Sequence, residues 1–116
     1  MPDSLITIAK DFSPYPGPRY RRDGEFSGEE FRESLLYPKL VRALAENGKV
    51  IVVLDDVAGY GSSFLEESFG GLIRRGLGIT DIRKSLEIRA LTPRFQHHKI
   101  RAETYISEAA LHKNAS

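Results

Sequence analysis

Residues 49–75, KVIVVLDDVAGYGSSFLEESFGGLIRR, constrain the fold more than any other stretch of this chain. The apolar run from Val50 to Leu54 is dominated by valine, which suits a central strand covered on both faces, because β-branched side chains pack well on a pleated surface with no solvent side. A tight turn rich in glycine and serine follows at 57–63. Phe64, Leu65, Phe69, Leu72 and Ile73 then recur at helical spacing and leave Glu66, Glu67, Arg74 and Arg75 for solvent. Ser62 and Ser63 stand where the new helix has its first N–H groups unpaired, and Glu66, three residues after Ser63, completes an S-x-x-E capping pattern. Gly70 and Gly71 weaken the helix by about 1 kcal/mol each relative to alanine. Close approach of another backbone, that of the adjacent strand, is the expected compensation.

The remaining elements fall around this unit. Residues 5–9 read as a first strand, and the proline-rich stretch 11–27 as a long connection with a short strand around 19–22 and a turn at Asp23-Gly24. Ser27 and Glu30 form a second S-x-x-E start, with Phe26 placed to staple onto Phe31. The helix that follows contains Pro38, expected to kink or split it, and ends at Asn47-Gly48. Gly76 is a candidate left-handed stop. A short helical turn at Thr80-Asp81, a strand at 86–91 and a last helix from Pro93 to about Leu111 complete the chain, with 112–116 expected to fray. The order implies a single α/β domain over 1–116, with helices packed on a mixed β-sheet.

Composition narrows the function classes. With 116 residues the chain has the commonest size of one domain and should bury roughly two-thirds of its unfolded surface. Seventeen Lys and Arg against sixteen Asp and Glu leave a net charge of +1, no strong field for nucleic acid or an anionic membrane. There is no cysteine, which removes disulfides and thiol chemistry and agrees with a reducing cytoplasm. The opening MPDSLITIAKDF lacks the layout of a signal peptide, and no apolar run approaches the ~20 residues needed to span a bilayer.

Several side chains invite a functional reading. Arg19, Arg21 and Arg22 beside Asp23-Gly24 suit a phosphate, a nucleotide or an acidic partner. Asp55 and Asp56 end the central strand where phosphotransfer proteins place a carboxylate, but such sites need further acidic ligands and a lysine near a later strand end. Turn chemistry is the simpler role for them. His97 and His98 are adjacent, so on a helix their side chains diverge by roughly 100° and do not share a metal without help. No P-loop, dinucleotide fingerprint or nucleophile elbow is present, and no catalytic residue, cofactor or metal is expected.

The strand, acidic turn, valine, aromatic residue, paired serines and amphipathic helix resemble the STAS domain of bacterial anti-sigma factor antagonists. Their pattern, roughly V-x-x-[hydrophobic]-D-S-S-G-L, falls on Val57 to Leu65, with Gly61 in place of its Asp and Phe64 in place of its Gly. The whole chain is more similar still to the STAS-like proteins grouped as DUF4325. These carry a G-x-R-Y-x-x-D-G-x-F-S-G-E-x-F stretch, here at 17–31, and a G-Y-G-S-S-F-x-E-E-x-F-G-G-L stretch, here at 59–72. The resemblance implies a non-enzymatic regulatory module that binds a histidine-kinase-like ATPase or an anti-sigma factor. By position it implies phosphorylation of Ser62, with Ser63 as second choice.

The leading expectation is therefore a partner surface made of Tyr60, Gly61, Phe64, Glu66 and Glu67, switched at Ser62. Two others stand beside it. One is a phosphate- or nucleotide-binding phosphotransfer protein using Asp55, Asp56 and the Arg19, Arg21 and Arg22 loop. The other is a homo-oligomerisation domain packed through the Gly70-Gly71 helix and a sheet edge.

Overall fold

A computed structural model describes residues 3–115. Strand β1 (Ser4–Thr7) runs into a single helical turn, α1 (Ile8–Asp11), and a long loop leads to helix α2 (28–46). Strand β2 (Val50–Val53) feeds helix α3 (62–74), α4 (Ile79–Ser85) leads directly into strand β3 (Leu86–Arg89), and α5 (Gln96–Ala115) closes the chain. The strands are ordered β1-β2-β3, and β2 is central as its composition requires. Every pairing is parallel, with Ile6, Val52 and Ile88 in one row, where a mixed sheet was expected. No strand forms in the 11–27 loop, so each strand is separated from the next by helix and nothing reverses the chain within the sheet.

The same topology corrects a second expectation. Parallel crossovers are right-handed almost without exception, so a sheet that grows in one direction receives its helices on one face. Ile6, Val50, Val52 and Ile88 are buried beneath them. On the other face Leu5 is 60% exposed, Ile51 is half-buried, and Glu87 pairs with Arg89. The helices cover one side of the central strand, and on the other side only Val53, at its end, is buried.

Each helix shows how its sequence was used. Ser27 caps α2, its hydroxyl accepting the Glu30 N–H at 3.0 Å. The loop satisfies the next donors, since the Pro18 and Arg19 carbonyls accept the N–H groups of Gly28 and Glu29 at 2.9 and 3.0 Å. The expected staple runs through a third ring. Phe12 meets Phe26 at 5.6 Å and Phe31 at 5.3 Å between centroids. Pro38 does not split α2; the turn before it, Arg32–Leu36, widens to π geometry, which accommodates a backbone that has lost one donor. Asn47, at φ 56°, ends the helix in the left-handed region.

Helix α3 carries its own π turn, Glu66–Gly70, and stops at Gly76, whose φ of 111° suits a residue without Cβ. Phe31, Phe64 and Phe69 are fully buried between the helices and the sheet, their rings 6.0 to 6.3 Å apart. Helix α5 continues to Ala115 where an end near Leu111 was expected; Ser116 lies outside the described residues. Among the described residues no helix is long and apolar enough to cross a membrane.

Candidate functional site

The turn between β2 and α3 is tied down at Asp55, Ala58 and Tyr60. Leu54 is buried, and Asp55, 3% exposed, accepts the N–H groups of Leu91 and Thr92 at 2.8 Å and the Thr92 hydroxyl at 2.7 Å. Burial alone would raise its pKa, but the bonds from Leu91 and Thr92 win and hold it below the usual carboxylate range. Asp55 is thus spent on fastening the end of β3 to the end of β2. Asp56, exposed at φ 70°, turns the chain. Ala58 is held from both sides, its N–H donating to the Pro14 carbonyl at 2.8 Å and its carbonyl accepting Arg94 at 3.1 Å.

Tyr60 folds back under the turn. Its hydroxyl donates to the Leu54 carbonyl at 2.6 Å, and its ring packs tilted on Phe64 and edge-on to His98, at 5.7 and 5.2 Å. Burial, then the nearby Asp55 charge, push its pKa far up, so it stays a neutral donor. With Tyr60 below, Gly61 becomes the residue that precedes the helix, at φ −75° and ψ 151°. Ser62 and Ser63 follow as the first helical residues, both exposed, and neither hydroxyl caps the helix. This overturns the S-x-x-E reading of Ser63 and Glu66: the helix starts two residues early. The first bond into it is the Leu65 N–H to the Gly61 carbonyl at 3.3 Å, so the N–H groups of Ser62, Ser63 and Phe64 have no partner within the helix.

Beneath this entrance lies a network of charges. Glu66 binds Arg19 at 2.6 Å and Arg74 at 2.7 Å, and Glu67, buried, binds Arg32 at 2.6 Å and Arg19 at 3.3 Å. Burial opposes ionisation of Glu66, and Arg74 and Arg19 overcome it, leaving the carboxyl below its ordinary range. The two π turns meet here, for Arg32 also donates to the Glu67 carbonyl at 2.8 Å. Gly71 is packed against that guanidinium, and a Cβ on Gly70 would press on the Glu66 carboxylate and the Tyr105 carbonyl. Side chains and α5, not the adjacent strand, explain the glycine pair.

The structure separates the residues singled out in the sequence. Of the expected partner surface, Gly61 is exposed and Glu66 is half-buried, while Tyr60, Phe64 and Glu67 are core residues at 8%, 0% and 6% exposure. Arg19 belongs to the internal ion network. Arg21, in a 3-10 turn rather than a strand, reaches the Ser34 hydroxyl at 3.1 Å, and Arg22 lies 4.7 Å over the Tyr20 ring. The three do not converge. His97 and His98 stack 3.9 Å apart at the start of α5, and His98 Nδ1 is buried without a hydrogen-bond partner. Among the described residues no three His, Asp or Glu side chains cluster to hold a metal.

Two residues with a structural part in the site were not legible in the sequence. Arg32 looked like one charge among many on α2, and only the missing Cβ at Gly71 hinted at a large neighbour. Arg94 reaches across a separation of 36 residues to the Ala58 carbonyl, a contact with no local signature.

No curated protein and no solved structure matches the chain. A family model does, described as a STAS-like domain of unknown function, DUF4325, over residues 27–94. That span is more than half of the chain and includes α2, β2, the serine turn, α3 and β3. The G-x-R-Y stretch overlaps it only from Ser27 onward. The α/β layers and the parallel sheet agree with that description, and the chain belongs to the DUF4325 family of STAS-like domains.

Proposed function

We propose that this domain is a non-enzymatic regulatory module that binds a protein partner at the α3 entrance and is switched by phosphorylation of Ser62. The observation that carries the reading is the pair of exposed serine hydroxyls, free of any capping duty, on a turn pinned by Asp55, Ala58 and Tyr60. A capping role for Ser62 and Ser63 would have put their hydroxyls to use; here neither caps, and the first N–H groups of α3 have no partner within the helix. STAS-like domains are in general binding modules, which agrees with a rigid surface and with an Asp55 already spent on Thr92.

The burial pattern redraws the contact surface. Tyr60, Phe64 and Glu67 shape it from below, and Ala58, Gly61, Ser62 and Ser63 present it. This is a small patch whose own side chains carry no charge, with Asp56 and Arg94 at its edge. A phosphoserine adds about −1.5 to −2 charges at neutral pH and three strong acceptors. At Ser62 it meets unpaired N–H groups, and Glu66 and Glu67 repel it little because Arg19, Arg32 and Arg74 neutralise them. Phosphorylation therefore leaves the fold intact and adds strong negative charge to the surface that a partner meets. The histidine-kinase-like ATPases and anti-sigma factors that pair with STAS domains are the partner class that fits.

Incubating the protein with cell extract and ATP, then mapping modified residues by mass spectrometry, tests the reading. Phosphate is expected on Ser62, with Ser63 as the only acceptable neighbour. Phosphate on an aspartate, or none on either serine, overturns it.

A further inference from the structure

The free edge of β3 carries a set of unpaired backbone groups that matches itself. The Arg89 carbonyl accepts the Leu54 N–H at 3.0 Å, and the register pairs Glu87 with Ile51 and Arg89 with Val53. Glu87 and Arg89 therefore turn their backbone groups toward β2, and Leu86, Ile88 and Ala90 turn theirs outward. Some of these are satisfied internally: the Leu86 N–H bonds to the Ile82 carbonyl, and Gln96 Nε2 donates to the Ala90 carbonyl at 2.6 Å. The N–H and C=O of Ile88, the C=O of Leu86 and the N–H of Ala90 have no protein partner among the described residues.

We infer that β3 is a dimer seam, at which a second copy of this chain pairs antiparallel about Ile88 and joins two three-stranded sheets into one. In that register each Ile88 N–H meets the other Ile88 C=O, and each Ala90 N–H meets the other Leu86 C=O. The groups that remain opposed there, the Leu86 N–H and the Ala90 C=O, are those already bonded within each copy. On the open face of the sheet Glu87 of one copy falls opposite Arg89 of the other, twice over by symmetry. On the helix side an open groove of about 240 Å³ runs beside β3, floored by Ile82, Leu86, Ile88 and Ile106 and edged by Arg83 and Glu103. Two copies close it against each other, apolar floor to apolar floor.

The charge pattern selects this occupant. A foreign strand has no reason to match the order Glu87, Ile88, Arg89, whereas a two-fold copy matches it automatically. The edge of β1 is a weaker seam: its Thr7 N–H is taken by the Asp11 carboxylate at 2.7 Å, and Ser4–Thr7 has no charges to set a register. The inference is independent of the Ser62 reading, since the seam lies on β3 and the serine turn lies before α3.

Sedimentation of the full chain at high micromolar concentration tests it, with wild type, Glu87→Lys, Arg89→Glu, an equimolar mixture of the two, and the double variant Glu87→Arg/Arg89→Glu. Wild type should run at twice the 13.0 kDa of one chain. Each single variant, with like charges facing across the seam, should fall to half that mass, and the mixture should regain it because the introduced lysine then faces an introduced glutamate. The double variant keeps opposite charges opposed and should dimerise as wild type, which separates a lost seam from a lost fold. A monomeric wild type, single variants that dimerise unchanged, or a mixture that stays monomeric overturns the inference.

Discussion

A single guanidinium, that of Arg32, ties together α2 and the interior of α3. It bonds to the Glu67 carboxylate and carbonyl and to Glu33, and it lies over Gly71. A buried pair of this kind adds little net stability over well-packed apolar residues, but removing one partner strands a charge in the interior. Glu67→Ala should therefore destabilise the domain by about 3–5 kcal/mol, read from urea unfolding, and Arg32→Met combined with Glu67→Leu should recover most of that loss. A small effect of Glu67→Ala would mean that the pair is hydrated and that the π turns do not depend on it. Gly71 belongs to the same unit, because a Cβ there collides with the Arg32 side chain.

At the scale of elements, two serines with the same sequence signature do opposite things. Ser27 caps α2 through a 3.0 Å bond, and Ser63 caps nothing. Ser27→Ala should cost about 1 kcal/mol, while Ser62→Ala and Ser63→Ala should stay within about 0.5 kcal/mol of wild type. Chemical denaturation of the three variants decides this, and a large cost at Ser63 would return it to a structural role. The periodicities of 28–46, 50–54 and 64–75 made the helices and the central strand legible, because those signals are local. The start of α3 was not, since burial of Tyr60 moves the cap to Gly61, and Arg19 and Arg74 take Glu66 away from the capping pattern. The Arg19–Glu66 and Arg32–Glu67 pairs join residues 47 and 35 positions apart and leave no trace in a window of sequence. The one-sided sheet was equally hidden: an apolar strand reads alike whether its second face meets a helix, a second chain or water.

At the scale of the whole molecule, one histidine gives the fold a pH dependence. His98 packs on Tyr60 and Phe95, and desolvation, followed by the nearby charges of His97, Arg101 and Arg94, lowers its pKa. The unfolded chain holds that proton more tightly, so the stability from neutral His98 is fully present above the unfolded pKa of about 6.5 and is lost as pH falls below it. Thermal melts should show Tm falling between about pH 7.5 and 5.5, with a smaller fall in His98→Phe. An identical slope in both proteins would assign the effect elsewhere. The ion-paired and hydrogen-bonded carboxylates do not confuse the test, because the lowered pKa of Asp55 and Glu66 places their protonation at more acid pH.

The exposed, uncapping Ser62 on a pinned turn is the centre of the account, and its role is decided by what the intact domain retains. Wild type, Ser62→Ala and Ser62→Glu, each immobilised at equal density after a matching melting curve, should be compared for captured proteins by quantitative mass spectrometry. One partner should be held by wild type and Ser62→Ala alike and lost from Ser62→Glu. Equal retention of every captured protein by Ser62→Glu would contradict it.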